Sequence, residues 1–344
     1  MKAAVIRSFG GPEVLRYEDV ETPRPGSGHI LVKILAAGVN RFDHYLREGS
    51  VIQDIPFPHV LGSDAVGEVA DIGDGVNGFE IGDRVVPVSG YPTEEDEYEV
   101  SPLALAPSWR LTGMGTWGTY AQFIEVPARW TLKDESGLTP EELATLPTVL
   151  PTGVRAVRVV GEVKKGDRVL ITAGSSGAGT LAIQVAKALG AEVAATVRDD
   201  AKGELTKALG ADCVINTRKE KLVERVQQWT DGRGVDVAID YLGGDFVAQS
   251  IDAVKPRGIV VVAGFVAGTE ATFNVRDFFF PQKQLRGTMS GDVADYQWGI
   301  EQVRAGHIRP VLDRALPLRE AAEAHRLIAS NQVKGNLVLL PWAA

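Results

Sequence analysis

A chain of 344 residues is long enough for two domains, because single hydrophobic cores stop growing at about 250–300 residues. Its composition, 44% hydrophobic and 24% charged, excludes fibrous and disordered classes, and a formal net charge of -9 argues against a nucleic-acid partner, which needs a basic face. The single cysteine, Cys213, excludes an intramolecular disulfide and a cysteine-rich metal site. The N-terminus lacks the apolar run of a signal peptide, and no segment reaches the roughly 18 apolar residues of a membrane span, so a cytoplasmic protein with no membrane partner is expected.

Residues 1 to about 90 read as short strands punctuated by glycine, such as Ile30 to Ile34, Ala65 to Val69 and Gly82 to Val86, an all-β pattern. The stretch from Pro92 to Thr116 carries the acidic run Glu94 to Glu97 and then prolines. With no sustained period, it is expected to be a solvated loop excursion of the first domain. From Asp167 the rhythm becomes strand, helix, strand. Val169 to Ile171 is a short apolar run, and Leu181, Val185 and Leu189 then recur at fourfold spacing before Gly190 stops the helix. Strands follow at Glu192 to Val197, Cys213 to Ile215, Val235 to Ile239 and Ile259 to Ala263, with helices at Lys202 to Leu209 and Lys221 to Trp229. Repeated βα units predict a doubly wound parallel sheet, an α/β Rossmann domain. The tail carries helices near Tyr296 to Ala305 and Arg319 to Ala329, and a strand Leu337 to Leu340 assigned back to the first domain. Cys213, inside a strand, reads as a buried inert thiol.

Directly after the first of these strands comes Thr172-Ala173-Gly174-Ser175-Ser176-Gly177-Ala178-Gly179, opening the amphipathic helix. A pyrophosphate needs exposed backbone N–H groups at a helix N-terminus with no Cβ in the way, and this turn offers both, so Gly174 through Gly179 are expected to bind a dinucleotide. Ser176 stands where the usual fingerprint has its middle glycine. The second strand ends Thr196-Val197-Arg198 with no carboxylate at its tip. Arg198 and Lys202 there favour the 2′-phosphate of NADP(H) over NAD(H), although Asp199 and Asp200 offset part of their charge.

Several segments resemble the medium-chain dehydrogenase/reductase superfamily: Gly10-Gly11-Pro12-Glu13-Val14-Leu15, Ala37-Gly38-Val39-Asn40, Gly62-Ser63-Asp64-Ala65-Val66-Gly67-Glu68-Val69, Gly82-Asp83-Arg84-Val85 and Ala173 to Gly179. The resemblance implies a GroES-like β-rich catalytic domain over 1–127 and 292–344, a Rossmann domain over 128–291, and the reaction between them. It places the zinc ligands of the alcohol dehydrogenases of that superfamily on Asn40, Ser63 and Thr148, none a usual zinc ligand, and the structural-zinc lobe on Pro92 to Thr116, which has no cysteine. No zinc is therefore expected. The pattern is similar to the zinc-free quinone oxidoreductase branch, whose members use NADPH to reduce quinones or the C=C bond of enones. By the same resemblance, Asn40 and Tyr45 line the substrate and serve as candidate catalytic donors. Thr152 touches the nicotinamide, and Leu242, Gly264, Phe265 and Asn336 join the cofactor contacts. The usual proton-relay position falls on Phe42, which cannot relay, and His44 nearby reads as a surface or structural histidine. Two alternatives stay open: a zinc-independent alcohol or aldehyde oxidoreductase of the same superfamily, and a catalytically silent nucleotide-binding protein. A homodimer is expected through the sheet edge at Ile259 to Val262 and Gln284 to Met289.

Overall fold

The computed structural model describes residues 1–343 and contains two compact units, Met1–Thr148 with the chain from Pro310 onward, and Val149–Arg309. Both boundaries lie further along the chain than 127/128 and 291/292. The helix Pro140–Leu143 belongs with the first unit because Gly38 is pressed against Ala144: a Cβ on Gly38 would sit 2.3 Å from the Ala144 carbonyl oxygen. The helix Val293–Arg304 belongs with the second. A Cβ on its Gly299 would meet the Leu150 side chain at 2.6 Å, and Asp292 and Asp295 at its start bind the Arg155 guanidinium at 3.0 and 3.1 Å.

In the first unit the long strand His29–Val39 is central. It pairs antiparallel with Asp64–Ile72, with Phe123–Pro127 and, through its C-terminal end, with Asn336–Leu340, so the tail does return to this unit. Ile30, Val32, Ile34, Ala65, Val69, Leu337 and Leu339 form the core beneath it. Gly67 lies within that sheet because a Cβ there would come 2.3 Å from the Lys33 carbonyl oxygen. The stretch Pro92 to Thr116 is not a solvated loop. Gly90–Pro92 pairs antiparallel with Trp109–Leu111, the Ser108 hydroxyl accepts from the amides of Thr93 and Glu94, and Tyr98 packs edge-on against Trp130 with ring centroids 5.3 Å apart. Elements three residues long leave no period to read in a sequence.

The second unit holds six parallel strands in the spatial order Cys213–Asn216, Glu192–Val197, Arg168–Ile171, Val235–Asp240, Val254–Val262, Gln284–Gly287. Numbered along the chain this is 3-2-1-4-5-6, the dinucleotide-binding order, whose ligands sit outside the carboxyl ends of the strands where the order reverses. Ile259 to Val262 is an interior segment of this sheet, paired on both sides. Of the two segments only Gln284–Gly287 lies at an edge of the sheet, the opposite edge being Cys213–Asn216, which corrects the expectation that both could meet a second copy.

Candidate functional site

At the carboxyl end of Arg168–Ile171 the chain makes a turn built from small residues. Ala173 adopts a left-handed conformation (φ 52°), its amide donates to the Thr196 hydroxyl, and the Gly174 amide donates to the Thr196 carbonyl. Gly174 has no room for a side chain, since a Cβ would meet that of Ala195 at 2.8 Å, and a Cβ on Gly179 would lie 2.2 Å from the Ala173 carbonyl oxygen. Ser176 needs no glycine. It is the N-cap of the helix Gly177–Ala188, with an ordinary φ of -78°, and its hydroxyl accepts from the Gly179 amide at 3.1 Å. Among the described residues the amides of Ser175, Gly177 and Ala178 have no acceptor, an arrangement suited to phosphate oxygens.

Across the reversal point, buried Asp240 ties two strand tips together. It accepts from the Thr172 hydroxyl at 2.7 Å and from the amides of Leu242 and Gly243 at 3.0 Å each. Burial raises its proton affinity and these donors oppose the shift. Gly243 (φ 70°) allows the turn, and Gly264 lies so close that a Cβ would be 2.2 Å from the Tyr241 carbonyl oxygen. Phe265 beside it is exposed. At the end of the second strand Arg198 is exposed, while the two acids beside it are engaged: Asp199 caps the helix Asp200–Ala208 by accepting from the Lys202 backbone amide, and Asp200 pairs with Lys219 at 2.5 Å and accepts from the Asn216 side-chain Nδ2 at 2.7 Å.

The first unit brings together the three positions aligned with zinc ligands. Asn40, the N-cap of the helix Arg41–Glu48, donates one side-chain hydrogen to Ser63 Oγ at 3.2 Å and the other to Asp64 Oδ2 at 2.9 Å. Thr148 Oγ1 donates to Asp64 Oδ1 at 2.5 Å and lies 3.3 Å from Ser63 Oγ. Ser89 Oγ donates to Asp64 Oδ1 at 2.8 Å, and the Thr148 backbone amide also binds the carboxylate. Four donors thus converge on Asp64, which is 2% exposed, and match the lone-pair sites of an ionised carboxylate. Burial raises its proton affinity, and the donors from Thr148, Asn40 and Ser89 hold it down.

Beneath this cluster Asp43 Oδ2 accepts from the Asn40 amide and the Tyr120 hydroxyl, each at 2.8 Å, while its Oδ1 is buried without a partner. Burial pushes the Asp43 carboxyl up to about 7. Tyr45, on the same helix, is half-buried beside His44 with ring centroids 5.6 Å apart. Thr152 lies in the helix Val149–Val154 of the second unit. Asn336 in the first unit is buried, with a side-chain nitrogen that has no partner. Sequence reasoning missed Ser89, Tyr120 and Asp240 and gave Asp64 no role. For Asp240 and Asp64 the sequence offers only position, an acid at the end of a strand beside apolar residues, Ala238-Ile239 before Asp240 and Ala65-Val66 after Asp64.

A doubly wound nucleotide-binding sheet and a GroES-like β unit in one chain define a class of two-domain oxidoreductases. The zinc-binding dehydrogenase family matches residues 177–305, and the alcohol dehydrogenase GroES-like domain family matches 26–136. The chain is 31% identical to a 2-haloacrylate reductase of Burkholderia sp and 30% identical to a quinone oxidoreductase of Pseudomonas aeruginosa, with 99% of each chain covered in both cases. The crystal structure of an NAD-dependent alcohol dehydrogenase superposes with a TM-score of 0.93 at 33% identity, covering 99% of each chain. The chain belongs to the medium-chain dehydrogenase/reductase superfamily and is an oxidoreductase of that superfamily.

The matched family description implies a zinc, and the donor set does not fit one. Tetrahedral zinc takes thiolate, imidazole or carboxylate. Here the three positions carry an amide and two hydroxyls bonded to one another, and the adjacent carboxylate is already surrounded by donors. Among the described residues no group of three or more His, Cys, Asp or Glu is placed to hold a metal ion.

Proposed function

We propose that the protein is a cytoplasmic, zinc-independent, NADPH-dependent oxidoreductase that reduces a quinone or an α,β-unsaturated carbonyl compound. The observation that carries the reading is the Asn40–Ser63–Thr148 cluster closed around Asp64, where zinc relatives present ligands. The relatives named quinone oxidoreductase and 2-haloacrylate reductase support it. In the second unit the free amides of Ser175, Gly177 and Ala178 would hold the pyrophosphate, with Arg198 and Lys202 near the 2′-phosphate and Thr196, Leu242, Gly264 and Phe265 around the rest. Thr152 of this unit would contact the nicotinamide end. A bound NADPH supplies the hydride. The protein's own part is to orient the two reactants and to offer a hydrogen-bond donor where negative charge develops on the substrate oxygen, with Tyr45 as one candidate.

The NAD-dependent alcohol dehydrogenase neighbour and the ordered lobe around Gly90–Pro92 and Trp109–Leu111 favour a second reading, alcohol or aldehyde oxidoreduction. Steady-state assays of quinones, enones and alcohols with NADPH, NADP+, NADH and NAD+ separate the two. Highest kcat/KM on a quinone or enone with NADPH supports the first reading; turnover confined to alcohols or aldehydes overturns it. We also propose a homodimer through the edge strand Gln284–Gly287, on which Leu285 is exposed, with Phe279, Phe280 and Met289 exposed in the flanking chain. Sedimentation giving only monomer at micromolar concentration contradicts it.

A further inference from the structure

Counting hydrogens in the polar cluster isolates one of them. Both side-chain hydrogens of Asn40 are engaged, one on Asp64 and one on Ser63, so Asn40 orients its neighbours instead of donating to a substrate. The hydroxyl hydrogens of Thr148 and Ser89 point at Asp64, at 2.5 and 2.8 Å. The 2.5 Å contact has the length of a hydroxyl bound to a carboxylate. Ser63 differs. Its oxygen accepts from Asn40, and among the described residues the only acceptor its own hydrogen meets is Thr148 Oγ1 at 3.3 Å, long for an O–H···O bond, whose usual range is about 2.5–3.0 Å.

We infer that Ser63 is the catalytic donor to the carbonyl oxygen of the substrate. This inference rests on the reading of the protein as a metal-free carbonyl-directed reductase and assigns its electrophilic group. Asn40, donating to Ser63 Oγ, polarises the Ser63 hydroxyl and strengthens it as a donor. The backbone holds it in place: Gly62 has φ 99°, and Gly113 and Gly118 pack so closely on Gly62 that a Cβ on either would come within 2.5 Å of its carbonyl oxygen. In the reaction the β-carbon of an enone gains a hydride with its electron pair, the C=C electrons shift, and the carbonyl oxygen takes the negative charge as it receives the Ser63 hydrogen bond. The reduced nicotinamide dinucleotide is oxidised, and water returns a proton to the α-carbon.

The test uses the full chain with NADPH and an enone. Ser63→Ala is expected to lower kcat about 100-fold, the scale of losing one oxyanion donor, while the NADPH Kd and the enone KM stay within about threefold of wild type. Ser63→Cys, whose thiol is a weaker donor, should recover part of the loss. A kcat for Ser63→Ala within twofold of wild type overturns the inference. If Ser63→Ala does not fold, Ser63→Cys decides, and wild-type kcat in that variant overturns the assignment. An active wild type with an indifferent Ser63→Ala removes this inference alone, whereas a wild type that takes up NADPH and reduces no carbonyl removes the functional reading as well.

Discussion

Ser176 and Asp43 show how single side chains carry the two sites. Replacing Ser176 with Ala removes the cap of the helix Gly177–Ala188 and should cost about 1 kcal/mol, read as a lower midpoint in urea at unchanged slope. An unchanged midpoint would mean that the turn is held without its cap. Asp43 binds its proton more tightly in the folded chain, near 7, than the ordinary carboxyl does at 3.8. Its share of stability is therefore full below about pH 4 and lost as pH rises toward 7. Asp43→Asn keeps an oxygen to accept from Asn40 and Tyr120 but cannot titrate. The variant should gain stability relative to wild type as pH rises from 4 to 7, and parallel stability curves for the two proteins would contradict this. Tyr45→Phe should lower enone turnover about tenfold with NADPH affinity intact if its hydroxyl donates to the substrate, and unchanged turnover removes Tyr45 from the mechanism.

In the proposed reading the end of the second strand and the helix after it set the choice between NADPH and NADH. Asp200 is paired with Lys219, so of the two acids it is Asp199, the cap of that helix, whose charge offsets Arg198. Arg198→Ala should weaken NADPH binding about tenfold and leave NADH unaffected, the difference expected for a lost charged contact to the 2′-phosphate. Equal effects on both cofactors, read by titration of protein fluorescence, would place Arg198 away from that phosphate. The strands of this unit were legible because buried parallel strands are short, mostly apolar runs set between turn residues, as at Val169 to Ile171 ahead of Gly174 and Val193 to Ala195 after Gly190. The lobe near Tyr91 and Trp109 was not, because its order comes from contacts such as Ser108 with Thr93 and Tyr98 with Trp130, made between residues far apart in sequence.

Over the whole molecule, the sequence shows the order of domains and the phosphate turn, since both depend on local pattern and on glycines that close approach demands. It places the three polar residues at the zinc positions without showing what they do. That role depends on Asp64, whose four donors come from segments spread from Asn40 to Thr148. The fold is shared with proteins of differing chemistry, so the metal-free reading rests on the cluster itself. The most direct test is NADPH-driven reduction of the best quinone or enone by protein dialysed against a strong chelator, with zinc measured by elemental analysis in the same sample. The account predicts full turnover at less than about 0.1 zinc per chain, since a required catalytic metal would be stoichiometric. Turnover that disappears with the metal and returns in proportion to added zinc would contradict it.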